Sequence, residues 1–203
     1  MAGPRSLPPL AAALLAAGCA ATGPAFTGAP PPGDKALVYI YRPYSKWVSA
    51  LQDAGFDVNG AKIGILDSGG YTYFHAPPGH YDIRQFWPTG LWTLQEPALW
   101  KDMHLAADFK SGETHYIRLQ VQEAAAVRCP GPSTAMTEAD GSESRYFSVV
   151  SSVYDPTTYT SYPVGSRCIG VHLSEVPAEV GRGEIQAQKF QMQNKAMPIG
   201  FKP

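Results

Sequence analysis

The stretch Phe56 to Phe86, FDVNGAKIGILDSGGYTYFHAPPGHYDIRQF, leaves this chain few folds to choose from. It reads as four short strands joined by three turns. Asn59-Gly60 is the strongest of the turn signals, because both residues tolerate a positive φ. Ile63 and Ile65 alternate with Lys62 and Gly64, the period-two pattern of a half-buried strand. Asp67-Ser68-Gly69-Gly70 supplies a second turn. Tyr71, Tyr73 and His75 then alternate with Thr72 and Phe74. Pro77-Pro78-Gly79 is the third turn, in which proline presets φ and glycine is free to take unusual values. Tyr81 and Ile83 alternate with Asp82 and Arg84. Such a run predicts an antiparallel meander, and it carries no catalytic signature.

The flanking sequence extends the same pattern. In Lys35 to Arg42 (KALVYIYR) both alternating sets are apolar, which predicts a central strand buried on both faces and ended by Pro43. Tyr44 to Gly55 is a connection, with room for one helical turn around Trp47, Val48 and Leu51. Met103, Leu105, Ala107 and Phe109 form one face of a strand. His115, Ile117, Leu119 and Val121 form one face of the next, and Ser111-Gly112 turns between them. Residues 123–143 read as a long loop, Tyr146 to Val153 as a strand, Tyr154 to Ser166 as a loop and Cys168 to Ser174 as the last strand. Glu175 to Gln193 has helix-compatible stretches, notably Glu184 to Gln193, and suits a short helix. The high glycine and proline counts, 20 and 19, fit many short strands and turns. The expected fold is all-β: a single antiparallel β-sandwich over residues 35–180, with a long inserted loop region. Residues 181–203 form a tail with a short C-terminal helix.

The N-terminus reads as a processing segment. Arg5 precedes Leu10 to Ala17 (LAAALLAA), which is apolar but too short to span a bilayer. Ala16-Ala17-Gly18-Cys19 resembles the lipobox of bacterial lipoproteins. That resemblance implies a leader of residues 1–18 and acylation of Cys19. With Ala20 after the cysteine, it also implies an exported protein on the periplasmic face of the bacterial outer membrane. An ordinary secretory leader cut nearby is the alternative. Residues 19–34 are rich in Pro, Gly and Ala, lack periodicity and read as a tether.

A second resemblance rests on ALVYIYRP, on Asn59-Gly60 followed by Lys62-Ile63-Gly64, on Pro77-Pro78-Gly79-His80-Tyr81, and on Lys110 to Tyr116 (KSGETHY). This order, over roughly residues 36 to 122, resembles uncharacterised bacterial lipoprotein domains related to PEGA-like β-sandwich modules. It implies a surface-anchored accessory or binding module and carries over no catalytic residues.

Little chemistry stands out. The net charge of −1 gives no footprint for nucleic acid. His75, His80, His104, His115 and His172 have no metal-binding spacing, so no metal or other cofactor is expected. There is no Gly-x-Ser-x-Gly elbow and no phosphate loop. Asp57, Asp67 and Asp82 lie by turns, where aspartate caps its own backbone. Trp87, Trp92 and Trp100 lie in an insertion, Phe86 to Trp100. They form either an exposed ligand-binding platform or rings folded into one end of the core, and tryptophan is usually mostly buried. Once Cys19 is set aside for lipid, Cys129 and Cys168 remain. Export places them where disulfides persist, which predicts a Cys129–Cys168 bridge, with two separate buried thiols as the alternative. The expected function is a non-enzymatic envelope lipoprotein. It is membrane-bound through its lipid anchor and binds an envelope protein or glycan. The alternative is a hydrolase of a cell-envelope polymer, which would need histidine and carboxylate converging in one pocket.

Overall fold

A computed structural model describes residues 23–29, 33–45, 53–88, 101–124, 129, 134–137, 141–155, 157 and 160–190. Eleven strands and one helix follow in order: β1 Ala36–Tyr41, β2 Ala54–Val58, β3 Ala61–Leu66, β4 Gly70–Ala76, β5 Gly79–Phe86, β6 Met103–Phe109, β7 Thr114–Ala124, β8 Thr134–Thr137, β9 Glu143–Asp155, β10 Thr160–Val176, α1 Ala178–Ile185 and β11 Lys189–Phe190. They form a seven-stranded sheet, β11-β4-β1-β7-β10-β9-β8, and a four-stranded sheet, β3-β2-β5-β6. The fold is all-β and sandwich-like. Its main core fills the space between the sheets, with Val38, Ile40, Phe56, Phe74, Ile83, Leu105, Phe109, Ile117 and Leu119 among its members.

The pairing departs from a meander. β2 and β3 do form the Asn59-Gly60 hairpin, with φ of 48° and 77° at its two turn residues. The second and third turns instead carry the chain from one sheet to the other and back. β4 pairs with β1 in the large sheet, while β5 returns to pair with β2. Nor is the large sheet purely antiparallel, since β1 runs parallel to β7 and β11 parallel to β4. The register of β2 on β3 jumps from Phe56↔Gly64 to Asp57↔Lys62, so Ile63 bulges. A bulge breaks strict alternation. Leu66 rather than Ile65 is the fully buried residue of β3, and Ile63 packs on the core from its edge.

β1 is buried along its whole length. Ala36, Val38 and Ile40 enter the main core. Leu37, Tyr39 and Tyr41 enter a second core on the outer face of the large sheet, with Tyr71, Tyr116, Val176 and Ile185. That second core is closed by α1 and by Phe26 and Ala29, from the stretch expected to be a free tether. A single aromatic ring suffices to hold a glycine- and proline-rich segment where a hydrophobic cradle receives it. Folded structure therefore extends on both sides of residues 35–180.

Two expectations near the C-terminus are corrected. The helix spans Ala178–Ile185, within the stretch Glu175 to Gln193 but before most of Glu184 to Gln193, where it was chiefly expected. Pro177 occupies the N-cap position without a side-chain cap, and Glu179 lies in the first turn and Arg182 in the last, a charge order that suits the helix dipole. Lys189 and Phe190 add to β4 instead of continuing the helix. The loop expected over Tyr154 to Ser166 is mostly strand, because β9 and β10 form a long hairpin with a register shift between Pro163 and Gly165. Proline lacks an N–H and is tolerated at such an irregularity. Cys168 thus lies well inside β10 rather than at its start.

Candidate functional site

The most perturbed polar cluster among the described residues lies at one end of the sandwich. Arg42 occupies the next inward position after Ala36, Val38 and Ile40. Its backbone still pairs across to β4: its N–H donates to the Gly70 carbonyl at 2.9 Å, and its carbonyl accepts from Gly69 N–H at 3.0 Å. Its side chain is wholly buried. Nη1 donates to the Leu66 carbonyl at 3.3 Å, and the guanidinium lies 5.7 Å from the centre of the Trp87 ring. Burial pulls the Arg42 pKa down to about 10, against the opposing pull of the Asp53 and Asp67 carboxylates. Burial also raises Asp53 to about 6. A hydrogen bond and like charge from Asp67 add to the rise, and Arg42 opposes it. Ser45 N–H donates to Ser68 Oγ at 2.9 Å beside this cluster, and Tyr44 is 63% exposed.

Arg42 and Asp53 bracket the β1–β2 connection, and Trp87 opens the β5–β6 connection. One buried cation and one buried indole therefore seat the bases of two long loops side by side. Trp87 itself belongs to the main core at 8% exposure. Trp92, Trp100 and Cys19 lie outside the described residues. Sequence reasoning assigned no role to Arg42. The signal was present: a charged residue continuing an otherwise apolar inward-facing set. Asp53 carried none, because its approach to Asp67 depends on the sheet switch after β3.

The histidines are spread over the molecule. His80 pairs with Asp108 at 2.9 Å and His104 with Asp82 at 3.2 Å, both on the exposed face of the small sheet. His115 is buried and meets Glu175 at 2.7 Å. His75 is exposed beside Tyr73. Among the described residues no three metal-capable side chains converge. Ser144 Oγ lies 2.8 Å from His172 Nδ1, directly across the β9–β10 ladder, but Ser144 is only 2% exposed. This is the geometry of a cross-strand structural bond, with no open approach to the hydroxyl.

The aspartates expected to cap turns behave otherwise. Asp57 accepts from Arg84 Nε at 2.9 Å, and Arg84 Nη1 also reaches Asp102 at 3.3 Å. Asp82 takes His104, while its own N–H donates to Asn59 Oδ1 at 2.8 Å. Strand pairing places Asp57 directly opposite Arg84 and Asp82 diagonally across from His104, and these cross-strand partners take the place of a local cap. Cys129 and Cys168 form a disulfide with Cα atoms 5.8 Å apart. It ties the chain just beyond β7 to the middle of β10 and encloses β8 and β9. Closing a loop with a sequence separation of 39 contributes about 4 kcal/mol in the chain-entropy model.

On the opposite, outer face of the large sheet the Phe26 segment borders an open groove of about 540 Å³. Tyr39 and Tyr116 line it, together with Arg182 of α1 and Gln186 just beyond the end of α1. α1 is held there by Glu184, which accepts from the Tyr41 hydroxyl at 2.5 Å and from Arg118 at 3.0 Å. Burial and the Glu184 carboxylate raise the Tyr41 pKa, so the phenol remains a donor.

No curated protein matches this chain. A family model does match residues 32–133, from just before β1 to beyond β7, and so covers the four-stranded sheet, β1, β4 and β7 of the large sheet, and the Arg42 cluster. The chain belongs to DUF2846, a family of proteins of unknown function.

Proposed function

We propose that this chain is a membrane-anchored envelope lipoprotein of the kind related to PEGA-like modules. It acts without catalysis as a binding or accessory module, through the loops at the Arg42 end of the sandwich. The observation that carries this reading is the joint seating of two long loops on one buried cluster. Arg42 packs on Trp87 and acts on Asp53, so the described ends of the β1–β2 and β5–β6 connections lie close together, and the sequences of those connections contain Trp47, Trp92 and Trp100. Loops on a rigid scaffold are where binding residues concentrate. Aromatic side chains there offer large contact area for a glycan or a protein. The lipobox-like Ala16 to Cys19 supplies the anchor.

Replacing residues 89–100 with a Gly/Ser linker of equal length tests the loop role. Lipidated wild-type and replaced protein are each captured from detergent-solubilised envelopes, and the bound components are identified by mass spectrometry. The expected result is a discrete envelope component retained by the wild type and lost by a variant whose melt is unchanged. Equal capture by both, with the fold intact, would contradict the loop role.

A further inference from the structure

The segment before β1 is fixed at Phe26. Its ring packs edge-on against Tyr39 at 5.2 Å and Tyr71 at 5.6 Å between centroids. Three residues on, Ala29 N–H donates to the Tyr39 hydroxyl at 2.9 Å. Tyr39 in turn stacks on Tyr116. The cradle is therefore built from β4, β1 and β7, three neighbouring strands of the large sheet. Two edge-on aromatic contacts and a backbone hydrogen bond give the strap a defined register on that face.

We infer that this strap sets which face of the domain meets the lipid surface: the tyrosine-and-helix face lies against the headgroups, and the charged face of the small sheet points away. The inference rests on Cys19 being the acylated residue. Phe26 follows Cys19 by seven residues, a reach of about 25 Å even when fully extended. If the first fixed residue were Ala36, at the start of β1, it would follow Cys19 by seventeen residues and the reach would be about 60 Å. Turning the small sheet to the bilayer requires the leash to climb past two sheets spaced about 10 Å apart with their side chains. It must also round the edge of a seven-stranded sheet whose strands lie about 4.8 Å apart. That path is roughly 35 Å or more by those spacings. A 60 Å leash permits it and a 25 Å leash does not. The face so held down carries exposed Arg182 beside the groove, a cation suited to headgroups. The face held away carries the His80–Asp108 and His104–Asp82 pairs.

The test uses the full-length acylated protein in vesicles containing a nickel-chelating lipid. A nitroxide is placed on Arg182→Cys or on Asp108→Cys, one on each face. The expected result is a several-fold larger relaxation enhancement at position 182. Phe26→Ala should bring the two positions toward equality. So should ten Gly/Ser residues inserted between Thr22 and Gly23, a change that leaves the packed residues untouched. Equal enhancement in the protein with the native strap would overturn the orientation, as would a bias that survives the insertion. An intact mass showing no acyl group on Cys19 would overturn the anchor reading and the orientation with it. A missing bias in acylated protein would overturn the orientation alone.

Discussion

Gln85 is wholly buried in β5, and among the described residues neither atom of its amide has a hydrogen-bond partner. It lies two residues before Trp87 on a strand whose inward positions, Tyr81 and Ile83, are core. A buried polar group without a partner costs about 1–3 kcal/mol. Gln85→Met keeps the volume and removes both groups, so it should raise stability by about 1 kcal/mol in a urea titration. A loss of stability would show that the amide is satisfied in solution. Asp53 gives a pH signature. Its folded pKa, raised from 3.8 to about 6, means that the folded state holds the proton more tightly than the unfolded chain. The stability it contributes is fully present below pH 3.8 and is lost as pH rises through about 6. Asp53→Asn should remove that decline and leave the variant more stable than the wild type at pH 7. Urea midpoints at pH 4 and pH 7 for both proteins decide it, and parallel pH profiles would refute the assignment.

At the scale of elements, α1 depends on close approach to the sheet. A Cβ at Gly181 would collide with Cβ and Cγ of Tyr116, atoms too near the β7 backbone to swing away. Gly181→Ala gains about 1 kcal/mol of helix propensity but overpacks the contact, at a cost of about 1–3 kcal/mol. A net loss of up to about 2 kcal/mol is expected, with the helix lifted off Tyr116; a stabilised variant would show that the helix does not sit there. Elements of this kind differ in how far the sequence announces them. β6 was legible because its two faces meet different media: Met103, Leu105, Ala107 and Phe109 are buried while His104, Ala106 and Asp108 are exposed. β1 was legible as buried on both sides. The sheet membership of β4 was not, because alternation reports inward against outward and strands of both sheets face the same core. The hairpin end of β9 and β10, Tyr154 to Ser166, was hidden for another reason. Its Ser, Thr, Tyr and Gly residues show no clean apolar period. Of the candidate site, Trp87 was legible as one of two readings. The Arg42–Asp53–Asp67 cluster arises only once β3 hands the chain to the other sheet.

For the whole molecule, the proposals combine a lipid anchor, a docked strap and a partner-binding Arg42 end into one arrangement at the membrane. Every part of it depends on Cys19. Two or more acyl chains anchor a protein stably, whereas one chain holds it only marginally. Cys19→Ser removes the site of attachment and leaves the folded residues unchanged. Wild-type protein and Cys19→Ser are expressed at equal level, and each is separated into membrane and soluble envelope fractions. The wild type is expected in the membrane fraction and Cys19→Ser in the soluble fraction, with the same melting temperature once purified. A Cys19→Ser protein that still sediments with membranes, or a wild type already soluble, would contradict the lipid anchor.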